Sequence, residues 1–148
     1  MNVVLPTRTY QLSFEHRPHY LYAHLSCEEI SFEIAKEYWV EILKMLHRRK
    51  YTRLLVEKDI PNSLRAHEVF TLITELAHSG CTRVRFAIFD HHYDVQRNGF
   101  EQLVATNRGL QVKITDNFAD AEKWLDYADA DLVHREEIKT MSVKTGPS

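Results

Sequence analysis

Tyr10, Leu12 and Phe14 alternate with Gln11, Ser13 and Glu15, the period-two pattern of a strand with one buried face. His16-Arg17-Pro18 then turns the chain, and Tyr20-Leu21-Tyr22-Ala23-His24-Leu25 is rich in strand formers. The two segments are expected to pair antiparallel, although no Asn-Gly pair marks the turn. A helical spacing follows, with Phe32, Ala35, Trp39, Ile42 and Leu46 on one side and Glu33, Lys36, Glu37 and Lys44 on the other. Ser31 suits its N-cap, and His47-Arg48-Arg49-Lys50 suits the negative end of its dipole. Arg53 to Val56 reads as a short buried strand. A second amphipathic helix is expected from Leu64 to His78, with Val69, Phe70, Ile73, Leu76 and Ala77 inward and Gly80 at a left-handed C-terminal position. Val84 to Phe89 forms the next strand.

Phe100, Leu103, Val104 and Asn107 mark a third helix that Gly109 closes, and Leu110 to Ile114 alternate as a further strand. Asp116 or Asn117 can cap a last helix with Phe118, Ala121 and Leu125 inward and Trp124 at its flank. The order is β-β-α-β-α-β-α-β-α. Strands that alternate with helices imply right-handed parallel crossovers, so this is an α/β chain with a mixed sheet and an antiparallel strand at its start. No repeat, linker or low-complexity block divides it. One domain over residues 10–127 is expected, with an N-terminal extension over 1–9 and a polar C-terminal tail over 128–148.

Composition adds little to that picture. The chain has 148 residues, 44% hydrophobic and 27% charged, as an ordinary globular domain has. Lys plus Arg number 19 against 21 Asp plus Glu, a net charge of -2 that advertises no nucleic-acid partner. Cys27 and Cys81 match no paired metal or disulfide spacing. Met1-Asn2-Val3-Val4-Leu5-Pro6 has no basic n-region and no apolar run reaches bilayer length, so a cytoplasmic protein without membrane insertion is expected.

The densest polar cluster is Asp90-His91-His92-Tyr93-Asp94, at the carboxyl end of a strand where open α/β sheets bind ligands. His91, His92 and Asp94 are of the residue types that hold zinc, but neighbours in an extended segment point apart, and a solvated pair of loop histidines is the simpler reading. No G-x-S-x-G, G-x-G-x-x-G or G-x-x-x-x-G-K occurs, and no cofactor is expected. Glu57, Lys58 and Asp59 follow the third strand and read either as an acid–base group or as a solvated strand end. Asp59-Ile60-Pro61-Asn62-Ser63-Leu64 leads into the second helix. Asn62 or Ser63 is expected to cap it, and a phosphate on Ser63 would suit the helix start, with Arg65 and His67 close in sequence. The basic run His47 to Arg53 reads as a dressed helix end rather than a nucleic-acid contact.

The element order and several strings together resemble the STAS-like, SpoIIAA-like family (STAS/SEC14-type domain) over about Tyr10 to Tyr127. The strings are Glu37-Tyr38-Trp39, the run Tyr51 to Asp59, the run Val84 to Asp90, the run Phe100 to Gly109, and Ala119 to Leu125. The resemblance implies helices mainly on one face of the sheet and a regulatory or protein-binding module without catalytic machinery. Anti-sigma-factor antagonists of this kind accept phosphate on a serine at the start of the second helix, and Ser63 is the matching position. Here Asn62 stands in place of that motif's Asp, and Leu64-Arg65 in place of its small residues and Gly.

The leading expectation is therefore a non-enzymatic module that binds a protein partner or a second copy of itself through Asp59, Asn62, Ser63, Arg65 and His67. The alternative is a carrier for a small ligand, a lipid or a nucleotide, in an apolar pocket lined by Trp39, Tyr38 and Phe70. A metal-dependent enzyme using His91, His92 and Asp94 stands third.

Overall fold

A computed structural model describes residues 9–126 of the chain; all but Thr9 of the expected extension over 1–9, the last residue of the expected domain and the tail over 128–148 lie outside the described residues. Strand β1 (Tyr10–His16) turns back into β2 (Leu21–Cys27), and the two pair antiparallel with Leu12 opposite Leu25. Then follow α1 (Phe32–Arg49), β3 (Arg53–Asp59), α2 (Ala66–His78), a 3-10 turn (Cys81–Arg83), β4 (Arg85–Asp90), α3 (Val95–Asn107) and β5 (Gln111–Thr115). Residues 118–126 are helical and form α4.

The sheet runs β1-β2-β3-β4-β5 in chain order, with β2 to β5 parallel. Each crossover therefore steps one strand in the same direction, and right-handed crossovers then place α1, α2 and α3 on the same face. On that face Leu21, Leu54 and Phe86 lie level across β2, β3 and β4 and pack with Ala35, Ile42, Leu46, Leu72, Leu76 and Ala105 of the helices. The opposite face shows the residues in between. Tyr20, Leu55 and Ala87 take Ala121 and Leu125 of α4, with Phe118 and Trp124 against them. A mixed sheet with helices mainly on one face is what the chain adopts.

Local signals explain most boundaries. Ser31 caps α1 by accepting from the Ile34 amide at 3.2 Å, and His47, Arg48 and Arg49 fill its last turn. Gly80 and Gly109 follow α2 and α3 with φ of 85° and 83°, where a side chain would be strained.

Four expectations need correction. The second helix starts at Ala66 rather than Leu64, and neither Asn62 nor Ser63 caps it. Arg65 is the N-cap, and the Glu68 carboxylate accepts from the Arg65 amide at 3.0 Å. Phe70 does not point inward; it is 47% exposed and lies under the Arg108 guanidinium, 3.9 Å from the ring centre. The third helix begins at Val95, because Asp94 caps it by accepting from the Arg97 amide at 2.8 Å. Its buried positions are Asn98, Val104 and Ala105, while Phe100 and Leu103 face out. Lastly, β3 continues past Val56 to Asp59, and Glu57, Lys58 and Asp59 are its last, partly exposed residues.

Ile42 is fully buried at the centre of the helical face, whereas Leu103 is 59% exposed. Ile42→Ala is expected to lower unfolding free energy by about 2–5 kcal/mol. Leu103→Ala is expected to change it by no more than about 0.5 kcal/mol. Urea unfolding followed by circular dichroism checks both, and equal losses would contradict this assignment of core and surface.

Candidate functional site

Between the sheet and the three helices lies a cavity of about 90 Å³. Its floor is Leu25, Val56, Phe86 and Ile88 of the strands, and its walls include Trp39 of α1, Leu72 and Leu76 of α2 and Ala105 of α3. Close packing ordinarily leaves few voids of this size. An apolar void of about 150 Å³ takes benzene, so about 90 Å³ corresponds to roughly three or four carbons.

One end of the cavity is polar. Tyr38 is 3% exposed and lines it, and its hydroxyl has no hydrogen-bond partner among the described residues. Burial, with the Glu101 and Asp90 carboxylates nearby, drives the Tyr38 pKa upward, so the phenol stays an O–H donor. Lys58 lines the same space because β3 alternates: Leu54, Val56 and Lys58 face the helices, and Leu55, Glu57 and Asp59 face away. Its ammonium has neither hydrogen bond nor ion pair among the described residues. Glu101 and Arg97 of α3 complete the polar end, and Ser63 and Leu64 also line the cavity, Ser63 being solvent-exposed.

Behind it sits a buried polar network. Asp90 is 2% exposed and accepts from the His92 amide at 2.9 Å, Asn98 Nδ2 at 3.1 Å and Arg97 Nη2 at 3.4 Å. Arg97 also donates to the His92 carbonyl, and Asn98 Oδ1 accepts from the Asp94 amide at 2.7 Å. A buried carboxylate needs such partners, and here they fasten the β4–α3 loop to the start of α3. Glu101 accepts from Asn98 Nδ2 at 3.2 Å. Burial lifts its carboxyl above the ordinary value, against the pull of Lys58 and Arg97, and Asp90 pushes it further up.

A second polar group occupies the other face of the sheet beside α4, with Tyr22 packed edge-on against Phe118. Glu57 accepts from the Tyr22 hydroxyl at 2.6 Å and pairs with His91 Nε2 at 2.8 Å, and His24 Nε2 lies 3.9 Å from the same carboxylate oxygen as His91. His91 stacks on Phe89 with centroids 4.6 Å apart. His92 pairs separately with Asp59 at 2.9 Å.

The structure thus separates the residues that the sequence had grouped. His91 and His92 find different carboxylates, and Asp94 is occupied as a helix cap. Among the described residues no group of three or more His, Cys, Asp or Glu side chains is arranged to hold a metal ion. Asn62 ties its loop to the start of α1, accepting from the Ile30 amide at 2.9 Å and donating to the Ile30 carbonyl at 3.3 Å. Ser63 lies three residues ahead of Ala66, off the helix start, and Arg65 and His67 are exposed beside it. Trp39 and Tyr38 line the cavity as expected, but Phe70 does not. Cys27 and Cys81 are both buried free thiols. Sequence reasoning missed Arg97, Asn98 and Glu101, and took Lys58 only as part of the group Glu57 to Asp59. The available signal was the polar set Arg97, Asn98 and Glu101 at spacings of one, three and four on α3, which reads as a wet face until its burial is known.

The Glu57 carboxyl gives a pH test. Burial pushes its pKa up, but hydrogen bonds from Tyr22 and His91 and the charges of His24 and His91 outweigh that and leave it below the ordinary value. A carboxyl lowered on folding stabilises the protein above the ordinary carboxylate range, and the contribution disappears as pH falls through the folded value. Glu57→Gln should therefore unfold at lower urea than the parent near about pH 7, with the gap closing below about pH 4. A gap of constant size across that range would contradict the assignment.

No family model matches the sequence, and no curated protein matches it either. No described helix is long and apolar enough to cross a membrane. Among solved structures, the chain is similar to an uncharacterized protein of the DUF3478 family with a SpoIIAA-like fold from Shewanella loihica PV-4. The TM-score is 0.54 at 14% identity, covering 84% of this chain and 99% of that one. At that identity the likeness concerns architecture, and with the strand order and helix placement above it establishes that this chain has a SpoIIAA-like fold.

Proposed function

We propose that this protein is a non-enzymatic binding module whose cavity beneath α1, α2 and α3 takes a small amphipathic molecule. One observation carries the reading: an apolar chamber beneath the helices is lined by Tyr38, whose hydroxyl makes no hydrogen bond among the described residues. A bound polar group would give that hydroxyl a hydrogen bond that it lacks among the described residues. Small-molecule sites commonly have this form, apolar walls with a few fixed polar groups. A whole lipid or nucleotide exceeds the cavity of about 90 Å³. The ligand, or the part of it that enters, is a short apolar chain with one polar end.

A role in protein contact is compatible with this reading and has its own support. The loop from Pro61 to Ser63 is exposed, and Asn62 fastens it to Ile30. Ser63 and Leu64 belong both to this surface and to the cavity lining, so a ligand and a partner would meet at the same loop.

The cavity reading is tested by titrating the protein with 1-butanol and following backbone amide resonances. Shifts are expected at Val56, Trp39 and Ala105, and Ala105→Leu, which fills the space with its own side chain, is expected to abolish them while retaining a dispersed spectrum. If the alcohol shifts no cavity resonance, or shifts them equally in a folded Ala105→Leu variant, the reading falls.

A further inference from the structure

We infer that Asn62 is a gate: its clasp on Ile30 closes the passage between the cavity and a larger cleft outside it, and with the clasp open the two spaces form one site for a single-chain amphiphile longer than the cavity. The inference rests on the cavity reading above and adds the route of entry and the length of the ligand.

The outer space is a cleft of about 900 Å³ at the carboxyl ends of β2 and β3. Tyr10, Cys27, Ile30, Ile34 and Pro61 give it apolar surface. Ile30 also lines the inner cavity, so the two spaces meet at one residue. The strap from β3 to α2 divides them in the same way: Pro61 lines the cleft, whereas Ser63 and Leu64 line the cavity. Asn62 stands between, and its side chain holds both backbone groups of Ile30, accepting from the N–H at 2.9 Å and donating to the carbonyl at 3.3 Å.

The strap is built to open there. Residues 60–65 belong to neither helix nor strand, and among the described residues the Asn62 side chain makes every hydrogen bond that Pro61 to Leu64 form. Its two ends are anchored, by Ile60 at 2% exposure and by Leu64 packed against the core. Pro61, Asn62 and Ser63 between them are exposed, so water can replace both bonds of the clasp when it releases. The cavity of about 90 Å³ holds roughly three or four carbons, and a longer chain must pass the clasp. Its further carbons then lie on Ile30 and Ile34 in the cleft.

The test is chain length. 1-Butanol, 1-hexanol and 1-octanol are titrated against the full chain and its Asn62→Ala and Asn62→Asp variants, and amide resonances of cavity and cleft are followed. In the parent, 1-octanol is expected to bind no more tightly than 1-butanol. Each fully buried methylene is worth about fourfold in affinity. Four of them, partly covered in the cleft, should raise the octanol-to-butanol affinity ratio of Asn62→Ala at least about tenfold, with new shifts at Cys27 and Ile34. Asn62→Asp keeps an acceptor for the Ile30 amide but has no donor for its carbonyl, so its ratio should fall between, and it carries the test if the alanine variant does not fold. A loss of stability alone weakens both alcohols together and leaves their ratio where it was. If 1-butanol binds but a folded variant has the parent's ratio, the gate is overturned and the cavity reading stands. The same holds if the parent already binds 1-octanol more tightly than 1-butanol with shifts in the cleft. If 1-butanol shifts no cavity resonance of the parent, both readings fail together.

Discussion

A parallel crossover has one favoured hand, and in this chain every crossover from β2 onward moves to the next strand on the same side. The other features follow from that constraint. Three helices must share one face, so the sheet and α1, α2 and α3 enclose a continuous interior large enough to contain a chamber. Among the described residues, α4 alone lies on the second face, where it covers Tyr20, Leu55 and Ala87 and leaves the row through His24, Glu57 and Phe89 partly exposed. A sheet with helices on both faces from alternate crossovers would have neither the chamber nor the wet row.

The carboxyl end of β3 shows how one strand serves two environments. Its last three residues are all charged, and the pleat sends them to alternate sides. Glu57 and Asp59 join histidines on the open face, while Lys58 enters the interior against apolar walls. A shift of one residue in register would bury both carboxylates and expose the lysine. The apolar run Leu54-Leu55-Val56 ahead of them, buried on both faces, fixes the register that prevents this.

The fold was legible because periodicity carries it. The alternation of Tyr10, Leu12 and Phe14, the spacing from Phe32 to Leu46, and the glycines at positions 80 and 109 each mark an element directly, and the strand–helix alternation implies the topology. The candidate site was less legible because its members lie on separate elements: Tyr38 on α1, Lys58 on β3 and Glu101 on α3. Nothing local distinguishes a lysine facing a cavity from one facing water. The histidine cluster misled for a related reason. Adjacent letters suggested one site, but the partners of His91 and His92 come from more than thirty residues earlier, at Glu57 and Asp59. Phe70 misled differently, since helical spacing gives a stripe but not its width, and a ring at the stripe's edge found an arginine instead of the core.

The position of α4 after all five strands also bears on how the protein is made. Ala121 and Leu125 dock on Tyr20, just before β2, on Leu55 of β3 and on Ala87 of β4, all completed earlier in the sequence. While the ribosome extends the chain, this part of the sheet's second face therefore waits for α4 to emerge. A nascent chain stalled before Ala121 would display a finished but bare apolar surface, the kind of patch that holdase chaperones recognise and that promotes association between neighbouring nascent chains.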